Sequence, residues 1–165
     1  MNSSFRIIDP FLTRPPVVAF DDLPEEMKSL AGEISQREDQ RTAVRYAYEA
    51  LAKKYRGFRI YTFIRLDRFF ITDLATLWKI SGFLHCNHLN YLLRTLLIAS
   101  KQFIPENVEA HWTQIWFFSP HQYLVFHLKN GESLNVDLWG KVYGIPFGTY
   151  AHGFQVGNSV ASRRE

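Results

Sequence analysis

The chain has 165 residues with a hydrophobic share of 47% and a charged share of 21%, which excludes a disordered polymer and suits one globular domain. Its 19 Lys and Arg against 16 Asp and Glu leave a formal charge of +3, too slight an excess to mark a nucleic-acid binder by itself. A single cysteine excludes an internal disulfide. No apolar run is long enough to span a bilayer and no secretory leader is visible, so a cytoplasmic location without a membrane partner is expected.

In chain order, residues 1–20 read as an extended arm, because Pro10, Pro15 and Pro16 exclude regular helix. A short helix follows near "FDDLPEEM", with Asp22 as its cap and Pro24 in its first turn. The stretch "EDQRTAVRYAYEALAKKYRG" predicts a longer helix, since Ala43, Ala47, Leu51 and Tyr55 recur at steps of four. Glu49 and Lys53 form an i,i+4 pair on it, and Gly57 stands where a C-terminal cap belongs. Residues 58–71, rich in aromatics, read as extended. "TDLATLWKISG" predicts a short helix capped by Thr72 or Asp73 and stopped at Gly82.

Next, Leu89, Leu92, Leu93, Leu96 and Leu97 mark one broad apolar helical stripe. Cys86 lies at the start of that helix, on its core-facing side. From residue 111 the period changes to two. "HWTQIWFF", "HQYLVFHL" and "ESLNVDLW" predict three strands. The organisation expected is an arm and short helix over 1–38, one main domain over 39–156, and a frayed tail over 157–165.

The last two strands fix a register. Leu124, Phe126, Leu128, Leu134, Val136 and Leu138 share one face only if the connecting loop has an odd number of residues. A three-residue loop, Lys129-Asn130-Gly131, satisfies this with Gly131 in the left-handed position. Tyr123 then pairs with Asp137, and His121 with Trp139. His121 and Asp137 become diagonal neighbours roughly 7–8 Å apart, within side-chain reach. His127 sits about 13 Å from the level of Asp137, too far to serve as its partner.

A thiol at a helix N-terminus lies at the positive end of the dipole, which favours the thiolate. Cys86 with a downstream His121–Asp137 pair supplies the parts of a thiol acyl-transfer site. "HCNH" gathers His85, Cys86 and His88 but lacks zinc-ligand spacing, so no metal and no cofactor are expected. His85 and His88 read as polar residues facing solvent or a cleft. No glycine-rich phosphate loop or Gly-x-Ser-x-Gly elbow is present.

Taken in order, "LWKISGFLHCNHLNYLLRTLL", "PHQYLVFHL" and "NVDLWG" resemble the transglutaminase-like cysteine-enzyme superfamily in its small bacterial form. The sixteen-residue step from His121 to Asp137 across a hairpin is similar to that of its smaller members. His85 stands before the cysteine instead of glycine, and Leu138 follows the aspartate where proline is common. The resemblance implies an α+β, papain-like core with the nucleophile helix packed on an antiparallel sheet. It implies Cys86 as nucleophile, His121 as general base and Asp137 as the residue that orients His121. It also implies a peptide or protein substrate, attacked at a peptide or glutamine carbonyl by hydrolysis or transamidation. "VDLWG" is similar to the aspartate strand of arylamine acetyltransferases as well, a minor alternative. The other readings are an interaction module with a silent triad, and nucleic-acid binding through residues 53–70, where arginines interleave with aromatics.

Overall fold

The computed structural model describes residues 15–69, 71, 73–116 and 119–154. Pro10, Thr72 and the tail beyond 156 therefore lie outside the described residues. Five α-helices and five strands fall within them: α1 (Glu25–Ser35), α2 (Gln40–Lys54), β1 (Tyr55–Arg56), α3 (Arg59–Ile64), α4 (Leu74–Lys79), β2 (Gly82–Phe83), α5 (Cys86–Ala99), β3 (Val108–Ile115), β4 (Ser119–His127) and β5 (Ser133–Val136). The class is mixed α+β with an antiparallel sheet of order β3-β4-β5. A two-residue parallel pairing joins β1 to β2.

α5 is the central element. It contacts α1, α2 and α4, and β4. The five leucines of its stripe are fully buried, and Asn90, Tyr91, Arg94 and Thr95 are buried as well. A helix enclosed on all sides must satisfy its polar side chains internally. Arg94 does so by donating to the carbonyls of Val108 (3.2 Å), Pro15 (2.8 Å) and Pro105 (3.2 Å). The guanidinium thus ties the helix to the start of β3 and to the segment that precedes α1. Met27, Ala31 and Ile34 of α1 join the same apolar cluster as Leu51, Leu92, Phe126 and Val136.

The β4–β5 hairpin has the expected register: Leu124 faces Val136, Phe126 faces Leu134 and His127 faces Ser133. Leu128 N–H donates to Glu132 O (2.8 Å) and closes the loop. Gly131 lies at φ +86°, a conformation that glycine adopts without penalty.

Other expectations fail for local reasons. Residues 59–68 are not extended. They form α3 and a 3₁₀ turn at Leu66–Arg68. β1 pairs only with β2, over two residues, so no ladder is offered to the rest of the segment. Asp22 does not cap α1; it ends a 3₁₀ turn, and Pro24 takes the N-cap position. Asp39 caps α2 and Asp73 caps α4, each accepting from a backbone N–H three residues on. Gly57 is not a cap, because α2 ends at Lys54 with Tyr55 as its extended C-cap; the glycine lies against Trp139. Glu49 pairs with Lys141 and not with Lys53. The third strand stops at Val136, because Asp137 turns inward and a 3₁₀ segment, Trp139–Tyr143, follows.

Candidate active site

Three separate elements bring Cys86, His121 and Asp137 together. Cys86 is the first residue of α5, reached through the β1–β2 pairing that immediately precedes it. His121 stands near the start of β4, and Asp137 directly follows β5. Asn90, one turn into α5, donates from its amide to Gln122 O (2.9 Å) and Gln122 Oε1 (3.3 Å). That pair clamps the start of the helix to the residue next to His121.

His121 Nε2 donates to Asp137 Oδ2 at 2.7 Å, with both side chains almost wholly buried. The imidazole is also hydrogen-bonded to Cys86. Cys86 and Asp137 thus both act on the imidazole of His121.

Burial alone would push the basicity of His121 down. The Asp137 charge and hydrogen bond, followed by Cys86, outweigh it and raise the imidazole to about 10. At neutral pH the ring is thus an imidazolium. Asp137 is fixed in turn by backbone donors: Gly140 N–H to Oδ1 (2.8 Å) and Ala151 N–H to Oδ2 (2.9 Å). Any side chain at 140 would collide with this carboxylate, since a Cβ there would fall 2.7 Å from Asp137 Oδ2. Trp139 covers the imidazole, with ring centroids 5.0 Å apart.

Cys86 is half-buried. Its backbone N–H belongs to the first turn of α5, where amide protons have no intrahelical acceptor. Such an amide can donate to an anionic oxygen developing beside the sulfur.

His85 and His88 do not face solvent or a cleft. They are 2% and 4% exposed. His85 Nε2 lies 2.9 Å from Arg65 O, and its ring meets Phe69, Phe83 and His88 edge-on. Burial, then the neighbouring His85, lowers His88 to about 4, which keeps it neutral. His127 lies at the other end of β4 from His121, with Ser133 and Glu109. Among the described residues no group of three or more His, Cys, Asp or Glu side chains is arranged to hold a metal ion.

The C-terminal segment backs the carboxylate. Ile145 and Ala151 enter the core, and Tyr150 stacks on Tyr123 with centroids 4.0 Å apart. Asn90, Gln122, Trp139 and Gly140 escaped the sequence reading. Asn90 had one visible signal: a polar residue four positions after the cysteine in an otherwise leucine-rich helix. Comparison with known proteins adds no name, for no family model, no curated protein and no solved structure matches the chain.

Proposed function

We propose that the chain is a thiol-dependent acyl-transfer enzyme acting on amide bonds, with Cys86 as nucleophile, His121 as acid and base, and Asp137 as the residue that orients His121. The observation that carries this reading is the imidazole of His121, hydrogen-bonded to both Cys86 and the Asp137 carboxylate. The helix carrying Cys86 packs on β4, which supports a transglutaminase-like, papain-like core.

In the proposed reaction the Cys86 thiolate attacks the substrate carbonyl carbon, forming an S–C bond and shifting the C=O pair onto oxygen. The Cys86 N–H donates to that oxyanion. Collapse breaks the C–N bond, and a proton on His121 passes to the leaving amine. Water then attacks the thioester, giving its proton to His121, and the C–S bond breaks to regenerate the thiolate. An amine in place of water would give transamidation. Hydrolysis is favoured, because Cys86 is only half-buried.

Iodoacetamide alkylation of Cys86 at neutral pH tests the site without a substrate. Rapid labelling in wild type, slowed in His121→Ala and unchanged in His127→Ala, is expected. With peptide or glutamine substrates, Cys86→Ala abolishes turnover. Equal effects of the two histidine changes would sink the assignment.

A further inference from the structure

α3 and the turn after it carry an apolar ridge that stands exposed among the described residues. Ile60, Phe63 and Ile64 fall at helical spacing on one face of α3 and are 58%, 55% and 65% exposed. Leu66, at 56%, extends the ridge. Singly exposed apolar residues are ordinary, whereas a contiguous row of four is not. The inner side of the segment is anchored: Tyr61 packs edge-on against Phe83, Arg68 donates to Phe83 O, and Arg65 O meets His85.

The charge around the ridge has one sign. Residues 50–72 carry six Lys and Arg against one acidic residue, Asp67. Asp67 is held by Arg65 in a two-bond pair, which leaves Arg56, Arg59 and Arg68 as the local excess. Arg59 spreads over the Trp116 ring at 3.6 Å, so an aromatic continues the surface beside the ridge.

We propose that this face docks on an anionic lipid surface, with Ile60, Phe63, Ile64 and Leu66 entering the headgroup boundary and the arginines meeting lipid phosphates. A convex apolar ridge flanked by cations fits a bilayer interface. Nucleic acid would leave the aliphatic side chains without a partner, and a second copy of the chain would set like charges against each other. Among the described residues no helix is long and apolar enough to cross a membrane, and surface docking requires none. This inference is independent of the chemistry assigned to Cys86.

The test is co-sedimentation of the full chain with phosphatidylcholine vesicles, with and without phosphatidylserine, over a range of salt. Binding should require phosphatidylserine and weaken as salt rises. The double variant Phe63→Asp, Ile64→Asp should lose about tenfold or more in vesicle affinity, since each change withdraws a large apolar side chain from the boundary. Its circular dichroism and Cys86 alkylation rate should stay at wild-type values, which separates lost docking from lost folding. Binding indifferent to phosphatidylserine or to the double variant would overturn the proposal. So would absence of vesicle binding accompanied by oligonucleotide binding, or by a dimer that the double variant dissolves.

Discussion

At the residue scale, Gly140 is the most exacting position in the site although it contributes no side chain. Its amide holds Asp137 Oδ1, and the space its missing Cβ would occupy is filled by Asp137 and Ile145. Gly140→Ala should push the carboxylate away from His121 and lower kcat on the order of 10²-fold while leaving most of the fold intact. Steady-state kinetics beside thermal unfolding checks this. His88 gives a separate, pH-linked prediction. Its folded value of about 4 lies below the ordinary 6.5. Its contribution is therefore intact above pH 6.5 and is lost as pH falls towards 4, when only the unfolded chain takes up the proton. Replacing His88 with Gln should flatten that acid limb, worth about 3 kcal/mol in wild type, in denaturant titrations at several pH values. Gly140 drew no attention in the sequence, and His88 was read there as facing solvent or a cleft. A close approach between 137 and 140 has no periodicity, and a buried histidine looks the same as an exposed one when only its neighbours in the chain are known.

At the scale of elements, the hairpin was legible and the segment before the nucleophile was not. Alternation in β4 and β5, with the parity of their loop, carries enough information to place His121 beside Asp137, because a one-residue slip would bury the polar set. α5 was legible in its leucine stripe. Residues 59–68 were misread because aromatic and branched residues favour a strand only where a neighbouring strand exists, and β1 and β2 offer just two paired residues. The site depends on how α5 meets β4, and Asn90 is the polar link at that joint. Asn90→Ala removes a buried hydrogen-bond donor from the joint and should cost ~1–3 kcal/mol in unfolding free energy. It should also slow Cys86 alkylation, because the first turn of α5 loses its hold on the strand bearing His121. Unchanged alkylation with lowered stability would confine Asn90 to packing.

For the whole molecule, the three site residues belong to parts of the chain that meet only on folding, so His121 reports on the assembled state. Its folded value, about 10, lies above the ordinary 6.5. The imidazolium therefore stabilises the fold fully below pH 6.5, and this contribution is lost as pH rises towards 10. Wild type should lose stability across that window relative to His121→Gln, as followed by denaturant midpoints. Trp139 makes the same titration visible by light. Its indole lies with its centroid 5.0 Å from that of the imidazole. A protonated imidazole draws electron density from an excited indole, and a neutral one does so far less. Emission from Trp139 should brighten as His121 gives up its proton, and the change should vanish in Trp139→Phe. The chain thus carries its own fluorescent gauge of the His121 proton, readable before any substrate is in hand.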